Sequence, residues 1–146
     1  MKLLDFELTT PERTVLRTKV RQVSVPTTEG EITVLSDHLP IVAPILAGEM
    51  RVVSEDGIES LIAVSGGFVT VHPGSRLEIL ADTAERAEEL DLKAIEEAHA
   101  RAEAVLKEKI DDEERQAEAT ASLARELARL KVVRKHRSKQ GFQRLP

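Results

Sequence analysis

In the stretch GEITVLSDHLP, residues 30–40, two carboxylates, Glu31 and Asp37, precede an imidazole, His38. With Ser65 further along, these types could supply a hydrolytic triad: a hydroxyl nucleophile, an imidazole base and a carboxylate to orient it. The spacing argues against it. Asp37 and His38 are direct neighbours, and Ser65 stands in Val64-Ser65-Gly66-Gly67, which lacks the G-x-S-x-G elbow that exposes a nucleophile. His38, His72, His99 and His136 form no H-x-x-x-H or H-E-x-x-H pair, so no metal site is expected. No G-x-x-x-x-G-K-[ST] phosphate loop occurs either. These residues point to contact rather than catalysis, and no catalytic residue is expected.

The chain that carries them has 146 residues, enough for one domain or for a compact domain with an appendage. Three phenylalanines and no tyrosine or tryptophan leave Val, Ile, Leu and Ala to build the core, so base- or sugar-stacking surfaces are not expected. The absence of cysteine excludes disulfides and thiolate metal or redox sites. With no apolar run of membrane-spanning length and no charged-then-apolar leader, neither a spanning nor an exported chain is expected.

Two periods divide the sequence. From Lys2 to about Leu80 apolar residues alternate, as in Leu4, Phe6, Leu8 and in Val69, Val71, the period of half-buried strands. Turn signals at Thr10-Pro11-Glu12, Thr28-Glu29-Gly30, Glu55-Asp56-Gly57, Ser65-Gly66-Gly67 and Pro73-Gly74 separate them. Seven to ten short antiparallel strands in a sandwich or flattened barrel are expected. After Asp82 strong helix formers take over. Asp91 is a candidate N-cap for a helix near 91–109 with an apolar stripe of Leu92, Ile95, Ala98, Ala102 and Val105 or Leu106. A second helix is expected over about 113–137, antiparallel to the first, with a seam of Ala117, Ala121, Ala124 and Ala128 flanked by Leu123, Leu127 and Leu130. Alanine is also simply the best helix former. If the seam is real, alanine contacts bury little area, so the hairpin would be weakly closed and able to open.

Charge is divided as well. The net charge is −5, but residues 129–146 hold seven Lys or Arg and no acid, leaving residues 1–128 with 14 bases against 26 acids. The run Glu85 to Asp91 is expected to be a solvated approach to a helix N-terminus. The basic end suits an acidic protein surface or nucleic acid. The missing aromatics and the acidic body count against nucleic acid. A free-standing binding module with a nucleic-acid-binding helix is therefore the rival reading.

Several segments in fixed order carry a specific resemblance: Pro11-Glu12, Pro26-Thr27-Thr28-Glu29-Gly30-Glu31-Ile32, His38-Leu39-Pro40, Leu46-Ala47-Gly48, Ser65-Gly66-Gly67-Phe68-Val69-Thr70-Val71 and Ile79-Leu80-Ala81-Asp82-Thr83-Ala84-Glu85-Arg86-Ala87. Through about Val133 the chain resembles the epsilon subunit of the bacterial F-type ATP synthase. The resemblance implies a ten-stranded β-sandwich, residues 1–84, that binds the gamma subunit and the c-subunit ring as part of the rotor. It also implies a helical hairpin, residues 85–146 with the basic tail, that either lies on the sandwich or extends along gamma into the alpha/beta catalytic head and restrains ATP hydrolysis. On this resemblance the subunit is non-catalytic and peripheral, on the cytoplasmic face of the bacterial inner membrane. Glu31, His38, Leu39 and Pro40 fall at its c-ring and gamma contacts, and Arg125, Arg129, Lys131, Arg134 and Lys135 would meet acidic segments of the beta subunits.

Some members of that family bind ATP at the hairpin through [IL]-D-x-x-R-A. Here the stretch is Leu90-Asp91-Leu92-Lys93-Ala94-Ile95, which keeps the leucine and aspartate and lacks the arginine and alanine. Glu85, Asp91 and Arg101 stand at the family's remaining positions, and Lys93 is a partial substitute for the missing guanidinium. The loss of that phosphate donor leaves no cofactor expected.

Overall fold

The computed structural model describes residues 2–107 and 112–143, with side chains in the second span as far as Ser138. Seven strands come first: β1 (Leu4–Thr9), β2 (Thr14–Thr27), β3 (Gly30–Leu35), β4 (Ile41–Pro44), β5 (Gly48–Ser54), β6 (Glu59–His72) and β7 (Arg76–Arg86). A single 3-10 turn, Ala87–Glu89, leads to α1 (Leu92–Lys107) and α2 (Glu113–Gln143).

The strands run in the order β1-β7-β6-β5-β2-β3, and β4 pairs with β6. Because β1 also pairs with β2, the path from β1 through β7, β6, β5 and β2 returns to its start, giving a closed, flattened sandwich. All pairings are antiparallel except β1 with β7, which is parallel and corrects the wholly antiparallel expectation. Among the described residues there are seven strands, the low end of the seven to ten expected from spacing and fewer than the ten that the resemblance implies. Length is the reason: β2 and β6 each run 14 residues and β7 runs 11. One strand therefore serves several partners, β2 pairing with β1 through its first half and with β3 and β5 through its second.

Between the layers Leu4, Leu8, Val20, Val23, Val25, Val34, Met50, Ile62, Val64, Val69, Leu77 and Ile79 are fully buried. The alternation slips where the ladder does. A register shift at Arg21 lets both Val20 and Val23 face inward, the effect of an extra residue in one strand.

Ser65-Gly66-Gly67 is no turn, contrary to the spacing argument. It lies inside β6, and the register with β7 is kept from Ser65↔Thr83 to Gly67↔Ala81 across Gly66, where no pair forms. The inward parity nevertheless changes there, from Ile62 and Val64 to Val69 and Val71. The two glycines supply the change with φ of +63° and +101°, which side-chain-bearing residues rarely adopt. A Cβ at Gly67 would run into the Leu80 carbonyl oxygen.

Residues Leu61, Ile62, Ala63 and Val64 form a continuous buried run because both faces of β6 are covered. Ile62 and Val64 join the sandwich core, whereas Leu61 and Ala63 pack with Ala87 and Val132 beneath α2. Asp91 caps α1 as expected, its Oδ1 accepting the amides of Lys93 (3.0 Å) and Ala94 (3.5 Å). Asp112 caps α2 through Glu114 N at 3.0 Å.

The expected stripe of α1 is inward, with Ile95 and Ala102 buried and Leu92, Ala98, Val105 and Leu106 partly so. The expected seam of α2 is rotated out of place. Ala117, Ala121 and Ala124 are exposed, and the buried positions are Ala119, Glu126, Ala128, Leu130, Val132 and Val133. A glutamate on the inner face hid the true stripe, and alanines on the outer face serve as helix formers.

Candidate functional site

The stretch that suggested chemistry is taken apart by the fold. Asp37 sits just after β3 at φ +63°, its Oδ1 2.5 Å from Lys2 Nζ and 3.3 Å from Ser75 Oγ, while Ser75 Oγ accepts the Asp37 amide at 2.8 Å. The hydrogen bond from Lys2 is the main cause that holds the Asp37 carboxyl below its ordinary pKa. His38 Nδ1 lies 2.6 Å from the carbonyl oxygen of its neighbour Leu39. Ser65 Oγ pairs with Thr83 Oγ1 at 2.5 Å, within the β6–β7 ladder. The three side chains thus have separate partners, and the arrangement is a braced loop.

The loop presents apolar side chains outward. Leu39 is 78% exposed and Val42 68%. Glu31 is not beside them, because it lies at the far end of β3, opposite Pro26, where it pairs with Arg51 of β5. The four residues Glu31, His38, Leu39 and Pro40 therefore form two surfaces at opposite ends of one strand. Four residues of strand at about 3.4 Å each put about 14 Å between Glu31 and Leu35, where the turn that His38 N closes on the Leu35 carbonyl (3.2 Å) begins.

The carboxylate run before α1 is largely engaged, which corrects the expectation of a solvated approach. Arg13, in the β1–β2 turn, holds Glu89 with Nη1–Oε1 of 3.3 Å and Nη2–Oε2 of 2.7 Å. That hydrogen-bonded pair lowers the Glu89 pKa and raises that of Arg13. Glu85, on β7, accepts Arg129 of α2 at Nε–Oε2 of 2.5 Å and also through Nη2. Arg129 Nη1 reaches Glu126 Oε1 at 2.5 Å. Burial opposes the charge of Arg129, but its hydrogen bonds to Glu85 and Glu126 and their charges outweigh it and raise its pKa.

One turn and a half along α2, Lys135 Nζ lies 3.0 Å from Glu49 of β5, whose side chain is buried. Arg51 Nε is 3.9 Å from the same carboxylate, so a chain of charge runs from Glu31 through Arg51 and Glu49 to Lys135. Of the five expected docking cations, Arg125 lies 4.0 Å from Glu126 and Arg134 lies 3.9 Å from Glu96. Lys131 is exposed. They do not form one free basic face.

The residues assigned to a nucleotide site are divided as well. Glu85 and Asp91 share a cleft of about 400 Å³ with Glu89, Glu126 and Arg129. Four carboxylates against one guanidinium repel a polyphosphate. Arg101 lines the neighbouring groove between α1 and α2, about 490 Å³, with Val105, Arg115 and Arg125. Sequence spacing gave no sign that Arg129 would occupy Glu85, because that contact joins residues brought together only when α2 lies on the sheet.

With this geometry in place, comparison with known proteins is decisive. Residues 3–87 match the family model described as the ATP synthase delta/epsilon chain, beta-sandwich domain. An ATP synthase epsilon chain from Dehalococcoides mccartyi is 42% identical over 94% of this chain and 96% of its own length. The chain belongs to the ATP synthase epsilon family. A second epsilon chain, from Moorella thermoacetica, is 40% identical over 91% of this chain and 98% of its own. Among solved structures, a chain of the Euglena gracilis mitochondrial ATP synthase, in an assembly of OSCP, F1 and c-ring, superposes with a TM-score of 0.73 at 26% identity, covering 84% of this chain and 76% of that one. A chain of the Tetrahymena thermophila central stalk and c-ring, 16% identical with a TM-score of 0.57, shares the fold. Among the described residues no helix is long and apolar enough to cross a membrane.

Proposed function

We propose that this member of the epsilon family is a non-catalytic central-stalk subunit of an F-type ATP synthase, coupling ion translocation to ATP synthesis and restraining ATP hydrolysis through α1 and α2. The observation that carries the reading is the near full-length match to epsilon chains, sandwich and helices together, joined to the likeness to a chain from an F1/c-ring assembly. In this reading residues 1–84 form the rotor-binding unit and residues 85–146 the regulatory one.

The exposed Leu39 and Val42, braced by the Asp37–Ser75 contacts, suit a rigid apolar contact with gamma or the c ring. Glu31, at the other end of β3, contributes a charge to a second contact with the same rotor. Arg125, Arg129, Lys131, Arg134 and Lys135 dock on acidic segments of the catalytic beta subunits once α2 has left the sheet. The subunit is peripheral on the cytoplasmic face of the bacterial membrane, held there by its complex, and it engages no nucleic acid. No nucleotide is needed, in keeping with the acidic cleft around Asp91.

Deletion of residues 91–146 tests the brake in the intact complex. Assembly with gamma and the c ring is expected to persist while ATP hydrolysis rises several-fold. Unchanged hydrolysis in a correctly assembled complex would remove the braking role.

A further inference from the structure

Two cations of α2 are already engaged by carboxylates of the sheet. Arg129 is held by Glu85 of β7 and Lys135 by Glu49 of β5. Between them Val132 is wholly buried against Leu61, Ala63 and Ala87. Arg129, Val132 and Lys135 recur every three residues, so they share one face of the helix. Leu90 packs against the same cluster, so the apolar contact here is one valine, two leucines and two alanines, and the flanking charges share the hold with it.

These acids lie in settings that favour a strong grip. The side chains of Arg129 and Glu85 are 20% and 24% exposed and that of Glu49 is 5% exposed, so the Arg129 pair is screened less than surface ions are, while Lys135, 47% exposed, reaches its buried acid from the rim. Arg129 engages Glu85 through two nitrogens, the geometry in which a guanidinium binds a carboxylate best. To leave the sheet, the helix must take both cations away from these partners together.

We propose that Glu85 and Glu49 are an internal substitute for an acidic protein surface. They hold Arg129 and Lys135 while α2 is docked, and α2 is released when an external acidic surface takes the same two cations. The acidity of that surface rests on the function proposed above; the clasp itself rests on the contacts within this chain. Each cation serves one set of acids at a time, so sheet and partner compete. Removing the sheet's acids therefore promotes external docking, whereas removing the helix's cations opposes it, although both changes loosen the same pairs. Net charge alone would favour poly-anion binding after the loss of any acid, so Glu29→Gln with Glu55→Gln, two exposed acids outside the clasp, sets the baseline that Glu49→Gln with Glu85→Gln must exceed.

The test uses the full chain with fluorescently labelled poly-L-glutamate as the acidic surface, read by anisotropy, and hydrogen exchange of α2 amides. Glu49→Gln with Glu85→Gln is expected to speed α2 exchange and tighten poly-glutamate binding several-fold. Arg129→Gln with Lys135→Gln is expected to speed exchange equally and weaken binding several-fold. Glu85→Gln alone, which leaves the sandwich core untouched, must tighten binding in the same direction. Unchanged or weaker binding by the carboxylate variants overturns the proposal. A brake that fails in the complex does not affect this result, because the isolated chain is measured here and hydrolysis there.

Discussion

Arg129 of α2 binds Glu85 of β7 through two of its nitrogens, across 44 positions of sequence, and reaches Glu126 with a third. One guanidinium thus bridges two carboxylates, which leaves the trio with one net negative charge, and it ties the last strand of the sandwich to the second helix. The same residue that the sequence marked as a free basic handle is, in this state, a structural centre.

Replacing Arg129 with alanine should release α2 far more than replacing an exposed cation. The loss leaves Glu85 and Glu126 without their shared counter-charge, a change that costs about 2–4 kcal/mol where the group is largely buried. Thermal and urea unfolding followed on the helical signal should register it, while Lys131→Ala changes stability by less than about 0.5 kcal/mol. Equal effects of the two substitutions would sink the argument.

Gly67→Ala should destabilise the sandwich by at least about 2 kcal/mol, through both the left-handed backbone and the collision with the Leu80 carbonyl. Gly74→Ala offers a control, since its φ is also positive but open space surrounds it, so strain acts there alone. Urea midpoints of the two variants separate the steric part from the conformational one.

Acid should loosen the link between the β1–β2 turn and the entry to α1. The Glu89 pKa is lowered in the folded chain, chiefly by the hydrogen bond from Arg13. A depressed carboxylate contributes stability that is complete above its unfolded pKa and is lost as pH falls through the folded one. That part of the pH dependence therefore lies below about pH 4.5, the ordinary range of glutamate. Glu89→Gln should remove it, and unfolding midpoints that stay parallel from pH 6 to pH 3 in both proteins would contradict it.

The two ends of β3 should respond independently. Cysteine at position 31 and cysteine at position 38 are expected to cross-link to different segments of the rotor, because they sit at opposite ends of β3, with about 14 Å of strand between Glu31 and Leu35. Glu31→Ala leaves the His38 cross-link unchanged, and the reverse holds too. Mass spectrometry of cross-linked peptides from the complex checks this, and a single shared target would argue for one contact surface.

Nucleotide should not bind measurably at millimolar concentration. Equilibrium dialysis of the full chain with ATP is expected to show no saturable uptake, and none that Asp91→Ala removes. Uptake sensitive to that substitution would show that Arg101 and Lys93 overcome the repulsion of Glu85, Glu89 and Glu126.

The architecture was legible where periodicity is clean. Leu4, Phe6 and Leu8 alternate inward as their spacing implies, and Asp91 caps α1 because its short carboxylate reaches the amides two and three residues on. The spacing bounded the strand count at seven to ten without fixing it at the seven observed, since a 14-residue strand with a parity change at Gly66 and Gly67 looks in sequence like two strands and a turn. The face of α2 was misleading for a chemical reason. Glu126 is buried by virtue of Arg129, a partner that no helical pattern counts as apolar. The candidate residues were found by type, but their pairing depended on long-range packing. Arg129 with Glu85 and Lys135 with Glu49 join positions 44 and 86 residues apart.

The closure of the sheet by β1 also dictates an order of birth. β1 lies between β2 and β7, and its parallel partner strand ends only at Arg86. As the chain leaves the ribosome, β1 can form its hairpin with β2 early, but its other edge must wait until Arg76–Leu80 of β7 have been made. Only then does the surface formed by Leu61, Ala63 and Ala87 exist for α2 to settle on. The helices, synthesised after the strands, arrive at a finished platform, so truncating them interrupts a late stage of assembly and leaves the earlier ones intact.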